Sequence, residues 1–407
     1  MLTEEQNRIL TQVGAGTPGG ELLRRYWHPV AIARELTPEA PTMLLRILGE
    51  DLVLFLDTSG RPGLVADRCP HRGASLYYGR VEKRGISCAY HGWLIDCAGK
   101  VLETPAENSD NLQRTVRTTA YPVQKFMGFY WAYMGPLPAP VLPKYDIFMR
   151  RDGRHRITAY PRLDCNWFVA AENGVDSTHL QLLHQEPPNA KQKPADSTRG
   201  YIDDIVSSEY YKTDYGIMKR RTYHGGTIDE HPMIFPLWLR TRSSIWFRTP
   251  IDDEHTYQFW HAYHYERPLT DEENAFYGGG TTQVPKMVPG TFRPIANHTN
   301  DYLIDREMQR TRNFTGLAST GTEDIAMAES MGKIIDRRKE HLGSADMPII
   351  VMRRILLRMV RELEQGIEPY AASHGDVYRV RPLCVDDPEG DFQRLLEQHD
   401  SATRATV

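Results

Sequence analysis

Cysteine is scarce in this chain. Five in 407 residues, an odd number, is too few for a disulfide framework and fits reduced thiols. Long apolar runs are missing as well. The longest are short pieces such as Ile349-Ile350-Val351-Met352, far below the 18 or so residues of a membrane span. The opening Met1-Leu2-Thr3-Glu4-Glu5 lacks the basic flank and apolar core of a secretory signal. These absences together lead to the expectation of a cytoplasmic protein with no membrane partner. There is no excess of positive charge: 49 Lys and Arg face 53 Asp and Glu, for a net charge of −4. That removes the electrostatic basis for a nucleic-acid partner. No low-complexity tract and no internal repeat is present. What remains is an ordinary globular composition, 40% hydrophobic and 25% charged, long enough for two or three domains.

Periodicity divides the chain. Residues 3–12 and a segment around Leu22 to Tyr26 have helical spacing. From Thr42 the pattern becomes short strands, such as 43–47 and 52–56, separated by turn signals at Gly49 and at Ser59-Gly60-Arg61-Pro62-Gly63. This predicts an all-β module continuing to Tyr133. Four prolines within Pro136–Pro143 then favour a stiff, extended connector and a domain boundary. Beyond it, Ser244–Tyr265 reads as a strand pair, and Thr320–Glu340 and Pro348–Gln365 read as helices. In the second of these helices Ile349, Met352, Ile355, Leu356, Met359, Val360 and Leu363 form an apolar stripe. Core or subunit packing accounts for that stripe.

Two constellations carry chemistry. Cys69-Pro70-His71 is followed after sixteen residues by Cys88-Ala89-Tyr90-His91-Gly92-Trp93. Two thiolates and two imidazoles suit either a structural zinc ion or a two-iron cluster. The single residue between Cys69 and His71 is shorter than the usual zinc spacing. Pro70, Gly73, Ala74 and Gly92 are small or rigid residues of the kind that let backbone approach cluster sulfurs. Cys97, Cys165 and Cys384 fit no partner pattern and read as ordinary buried or turn cysteines.

The second constellation runs from Asn166 to His184 and contains Asn173, Asp176, His179 and His184. Two histidines and a carboxylate make the facial triad of non-haem iron. Asp176 and His179 would share a helix face. His179 and His184 are five apart, a rotation of about 140° on a helix. Both reach one metal only if the helix distorts or ends between them, by a π-bulge or a break after Leu182. One decoy is present. Gly14-Ala15-Gly16-Thr17-Pro18-Gly19 matches a dinucleotide fingerprint, but no strand precedes it and Pro18 interrupts it.

Residues 42–135, with both Cys/His loops, resemble the Rieske domain. Residues 166–184 resemble the catalytic segment of Rieske oxygenase α subunits. Tyr26-Trp27-His28-Pro29-Val30, Trp131-Ala132-Tyr133-Met134-Gly135-Pro136 and Glu329-Ser330-Met331-Gly332 are similar to the phthalate dioxygenase group. The resemblance implies an α+β protein. A helical arm would occupy 1–41 and a Rieske [2Fe-2S] domain 42–140. A helix-grip, START-like catalytic domain with an antiparallel sheet and C-terminal helices would occupy 141–407. It implies that Cys69 and Cys88 bind one iron of the cluster, and His71 and His91 the other. Fe(II) would be held by His179, His184 and a distant acid, best matched by Asp324, with Glu329 as an alternative. Glu323 would then serve only the helix dipole beside a Thr322 cap. Asp176 would bridge His179 to a neighbouring subunit's His91, with Asn173 near the iron.

The implied partners are an NAD(P)H-dependent flavin and iron–sulfur reductase, a small aromatic substrate, O2, and copies of the chain in a trimer or stacked trimers. The implied reaction is ring dihydroxylation of an aromatic carboxylate or aryl ether, or monooxygenation with O-demethylation of a methoxylated aromatic. A carboxylated substrate would need an arginine, for which Arg220, Arg221, Arg240, Arg242 and Arg248 are candidates. A non-catalytic Rieske electron carrier and a zinc-binding interaction protein are the readings from other classes.

Overall fold

Alternating β-branched, aromatic and polar residues between glycine-rich turns build the first part of the chain from short strands. The computed structural model describes residues 1–149, 155–184, 205–236, 238–241, 243–264, 267–281, 283–380 and 382–386. Two compact units result. The first is Gln12–Val141 with Thr249–Asp253, and the second is Met1–Thr11, Leu142–Arg248 and Glu254–Val407.

The first unit holds three antiparallel sheets. Strands β1 (Trp27–Ile32), β10 (Val123–Phe126) and β11 (Phe129–Tyr133) form one in the order β1-β11-β10. Strands β2 (Thr42–Ile47), β3 (Glu50–Leu56), β4 (Pro62–Ala66) and β9 (Ala120–Tyr121) form the next in sequence order. The third is β5 (Arg80–Glu82), β6 (Gly85–Ser87), β7 (Leu94–Ile95) and β8 (Val101–Glu103). Its core contains Val53, Phe55, Val65, Leu76, Ile86, Trp93, Ile95 and Val101, and both Cys69 and Cys88 are packed into it. The loop after β4 carries Cys69 and His71, and the β6–β7 loop carries Cys88 and His91.

The second unit is an eight-stranded antiparallel sheet covered by helices. Its strands are β12 (Arg156–Leu163), β13 (Ile205–Lys212), β14 (Gly216–Tyr223), β15 (Thr227–Ile234), β16 (Trp238–Arg240), β17 (Ser244–Pro250), β18 (Thr256–Ala262) and β19 (Leu383–Asp386). They run in the order β12-β18-β17-β16-β15-β14-β13, with β19 paired to β15. Five helices matter for the site. These are α1 (Glu4–Thr11), α2 (Trp167–Val175), α3 (His179–Leu182), α4 (Thr320–Ser330) and α5 (Met347–Glu364). Val169 and Ala170 of α2 pack on Ile325 and Ala328 of α4 in one apolar cluster. In α5 the expected stripe is the buried face, through Met352, Ile355, Leu356 and Val360. Among the described residues, no helix is long and apolar enough to cross a membrane.

Several elements differ from expectation. The arm is not a unit of its own. Helix α1 belongs with the second unit because Asn7 donates to the Ile335 carbonyl at 2.9 Å and the Thr11 carbonyl accepts from Asn166 at 2.9 Å. The helix expected around Leu22–Tyr26 lies earlier, at Pro18–Arg24, because Thr17 caps it by accepting from the Gly20 N–H and Pro18 opens it. The glycine-rich decoy is thus a helix start. The helix expected over Thr320–Glu340 ends at Ser330. Gly332 takes a left-handed conformation, φ +87°, and stops it.

That early stop turns the chain so that Arg337 is fully buried on α2. Glu172 of α2 receives Arg337 at 2.6 Å and Arg353 of α5 at 2.6 Å, and Arg353 also reaches Glu340 at 2.6 Å. Arg337 lies 4.7 Å from the Phe168 ring centre and donates to Asn7. Glu172, Arg337 and Arg353 are 7%, 0% and 4% exposed, so removing the carboxylate would strand the buried Arg337 and leave Arg353 with Glu340 alone. Glu172→Leu is expected to destabilise the protein by about 3–5 kcal/mol, checked by denaturant unfolding against wild type.

Candidate metal centres

The two cysteine loops are built alike. Gly73 N–H donates to the Cys69 carbonyl at 2.8 Å, and Cys69 N–H donates to that of Ala74 at 2.8 Å. In the second loop Gly92 N–H donates to the Cys88 carbonyl at 2.9 Å, and Cys88 N–H to that of Trp93 at 2.9 Å. Gly73 and Gly92 sit at φ +77° and +71°, a region that a side chain disfavours. The His71 and His91 rings lie edge to face with centres 4.6 Å apart, and His71 stacks on Trp93 at 4.7 Å. Burial pushes the Cys69 thiol up to about 11. The His71 backbone N–H opposes this, and the facing Cys88 adds to it. Partial burial lowers His91, as do neighbouring His71 and Arg72, which favours the neutral imidazole that binds metal. Two buried, adjacent thiols and two imidazoles at neighbouring loop tips fit a cluster with mixed sulfur and nitrogen ligation.

In the second unit, one group of three among the described residues could hold a single ion. Ligand atoms of His179, His184 and Asp324 all lie within 4.8 Å of one another. Helix α2 stops at Val175. Asp176 is its C-cap in extended conformation, φ −66° and ψ 131°, so Asp176 and His179 do not share a helix face as expected. Asp176 instead begins the next turn, accepting from the N–H groups of Thr178 at 2.7 Å and His179 at 3.3 Å. Its carboxylate also meets His179 Nδ1 at 3.1 Å. Helix α3 then ends at Leu182, the break that the five-residue spacing required.

Three carboxylates surround the two imidazoles. Asp324 Oδ1 lies 3.7 Å from His179 Nε2 and 3.2 Å from His184 Nε2. Asn173 Nδ2 donates to Asp324 Oδ1 at 3.1 Å and lies 3.4 Å from His179 Nε2. On the far side of His184, Glu323 Oε2 meets Nδ1 at 2.7 Å. Burial opposes charge on His184, but Asp324 and then Glu323 raise it to about 9. Asp324 is lowered: its burial acts upward, and His184, His179 and Asn173 outweigh it. Asp176 is lowered in the same way, chiefly through His179 against its burial. Both imidazoles therefore present Nε2 to Asp324, and a carboxylate holds each Nδ1. That donor set suits a divalent metal.

The remaining candidates separate. Glu329 is not at the triad; it accepts from Asp164 N–H at 2.9 Å and from the Tyr302 hydroxyl. Arg220 pairs with Glu230 at 2.8 Å, and Arg221 with Asp229 at 2.5 Å. Arg240 bonds the Tyr263 hydroxyl and the Ser244 carbonyl. Arg242 lies outside the described residues. Arg248 is 3% exposed, and its Nε and Nη1 have no hydrogen-bond partner among the described residues. Its guanidinium lies against Gly174, where a Cβ would come within 3.1 Å of Nη1. Burial lowers it to about 10, offset in part by Asp324. Lys219 is buried too, and burial with Arg221 lowers it to about 7 against the pull of Asp229 and Asp176.

Comparison with known proteins agrees with this geometry. The model of the Rieske [2Fe-2S] domain matches residues 26–126, and that of the LigXa C-terminal domain like family matches residues 243–381. The 5,5'-dehydrodivanillate O-demethylase oxygenase subunit of Sphingobium sp. (strain NBRC 103272 / SYK-6) is 34% identical over 91% of this chain and 83% of its own length. The chain belongs to the Rieske non-haem iron oxygenases. The phthalate 4,5-dioxygenase oxygenase subunit of Pseudomonas putida is also 34% identical, over 90% of this chain and 88% of its own length. The fold matches NdmA of Pseudomonas putida CBB5, solved as a QL mutant with theobromine, at TM-score 0.59 and 18% identity, over 91% of this chain and 99% of that one.

This Rieske oxygenase subunit is therefore an oxidoreductase with a [2Fe-2S] cluster and a mononuclear iron. It depends on a reductase and works as an oligomer. The Rieske match encloses Cys69, His71, Cys88 and His91, and the C-terminal match encloses Arg248, Thr315, Glu323 and Asp324. Sequence reasoning missed Glu323 as a partner of His184. The helix cap is Ser319, which accepts from Thr322 N–H at 3.2 Å, and not Thr322; Glu323 lies in the first turn as expected but also meets His184. The 100° step from Asp324 carries it around to the other nitrogen of His184. The oxygenase variant His184→Ala is expected to lose mononuclear iron while keeping the cluster's visible absorption, checked by iron analysis with optical spectroscopy.

Proposed function

We propose that this oxygenase hydroxylates a small aromatic substrate bearing a carboxylate. On this reading Cys69, His71, Cys88 and His91 hold the cluster, and His179, His184 and Asp324 hold Fe(II). The observation that carries it is the triad of ligand atoms within 4.8 Å in a chain that also has two matched Cys/His loops. When bound, the cluster supplies electrons and the iron supplies O2 activation. The residues do the rest. Asn173 holds Asp324 through a hydrogen bond and keeps its oxygen turned to the histidines. Asp176 holds His179 by Nδ1. Its side chain is 18% exposed, which leaves it able to take a further hydrogen bond from His91 of the partner subunit. The partners proposed are a trimer or stacked trimers of this chain and an NAD(P)H-dependent flavin and iron–sulfur reductase.

Arg248 supports the anionic substrate. A buried guanidinium with two unused donors is costly, and a carboxylate that met either of them in a charge-assisted hydrogen bond would offset that cost. A second reading, O-demethylation of a methoxylated aromatic acid, is favoured by the likeness to the dehydrodivanillate demethylase subunit. It uses the same residues and differs only in which carbon faces the iron.

Turnover with reductase and a panel of aromatic acids and methoxyarenes under labelled O2 tests the proposal. Two labelled oxygens in the aromatic product mean ring dihydroxylation; an unlabelled phenol with formaldehyde released means demethylation, because the incoming oxygen leaves with the methyl carbon. No label in any aromatic product together with no formaldehyde would overturn it. Arg248→Met is expected to weaken binding of a carboxylated substrate by about 1.5–3 kcal/mol, a roughly 10- to 100-fold rise in KM, with kcat less changed. Asp176→Asn is expected to retain both metals and lose turnover, read by iron analysis beside the rate.

A further inference from the structure

Glu323 is a deeply buried carboxylate, 0% exposed, with both oxygens engaged. Oε2 accepts from His184 Nδ1 at 2.7 Å, and Oε1 accepts from the Thr315 hydroxyl at 2.6 Å. Thr315 is itself buried, 9% exposed, and its oxygen accepts from Leu317 N–H at 3.1 Å. Glu323 is thus an acceptor from two sides: Leu317 N–H donates to the Thr315 hydroxyl, which donates to Oε1, and His184 Nδ1 donates to Oε2. Helix α4 begins at the Ser319 cap, so Glu323, Thr315 and Leu317 all belong to the first turn of the helix that carries Asp324 and the loop just before it.

We infer that Glu323, held by Thr315, is a positioning residue that fixes His184 with Nε2 turned to the iron and adds a negative charge behind it. This rests on the iron-site reading above. The reason is chemical. An imidazole that donates from Nδ1 has its lone pair on Nε2, the form a metal binds. The ring would otherwise be free to choose tautomer and to rotate. The two ligand histidines are then secured by different means. Asp176 sits at a chain break with its side chain part exposed, whereas the Glu323 side chain is 1% exposed. The partly open carboxylate can serve a second partner; both oxygens of the closed one are taken, by His184 and Thr315. Asp324 and Glu323 are adjacent in sequence, so one helical turn supplies both an iron ligand and the clamp on another ligand.

The test uses the full chain with its cluster intact. Fe(II) affinity is measured by chelator competition, and Co(II) loaded in place of Fe(II) reports the ligand field by its visible bands. Glu323→Leu is expected to weaken Fe(II) binding about 10- to 100-fold with the cluster absorption unchanged. Glu323→Gln, which keeps an acceptor oxygen for Nδ1–H and removes the charge, is expected to recover part of that loss yet shift the Co(II) bands. Thr315→Val is expected to fall between wild type and Glu323→Leu; with Glu323→Gln it carries the test if the leucine variant does not fold. Wild-type affinity and unshifted Co(II) bands in Glu323→Gln and Thr315→Val would overturn the inference. Failure of the underlying iron reading looks different: His184→Ala would then bind Co(II) with the same bands as wild type.

Discussion

The catalytic unit depends on how the far nitrogens of two imidazoles are held. Asp176 holds His179 and Glu323 holds His184, both by Nδ1, so that both Nε2 atoms converge on Asp324. Neither hold is available on a continuous helix. The chain must leave helical geometry at Asp176 and again after Leu182. The backbone break and the carboxylate placement are therefore one constraint: Asp176 ends α2, starts α3 with the same oxygens, and fixes the ring one turn on.

Such an arrangement gathers three carboxylates in a small volume, and α2, which carries Asn173 and leads into Asp176, must not shift under that charge. The clamp on α2 is electrostatic and buried. Glu172 meets two arginines from segments more than 160 residues away in sequence. Arg337 reaches it only because α4 stops at Ser330, and Arg353 only because α5 turns one charged position inward among its apolar ones. Buried pairs of this kind contribute little net stability but are expensive to break, which suits a fixed frame for a metal site. Apolar packing of Val169 and Ala170 on Ile325 and Ala328 sets the distance between α2 and the helix that carries Glu323 and Asp324.

Much of this was legible in the sequence. The Cys-x-His and Cys-x-x-His loops, the His179 and His184 spacing with its implied break, the helix Met347–Glu364 and the strand pair after Ser244 all depend on local pattern, which a sequence displays. Glu323 was not legible as a partner of His184. Its contact spans 139 positions, and its neighbour Asp324 already explained the helix as a ligand source. The end of α4 was missed because the apolar spacing runs on past Ser330, while one glycine in a left-handed turn decides the stop. The choice among the candidate arginines was hidden for the same reason. Arg220 and Arg221 lie on β14 and Arg248 on β17 of the same sheet, and only pairing across the sheet shows which of them lacks a counter-charge.

Gly174 has a consequence for how much change this part of the chain tolerates. The residue sits on α2, between Asn173 and the helix end, and the Arg248 guanidinium rests on its bare backbone. A methyl group there would come within 3.1 Å of Nη1, so the guanidinium would have to yield by a few tenths of an ångström. The room for a side chain at 174 and the seat of the buried cation at 248 are thus linked.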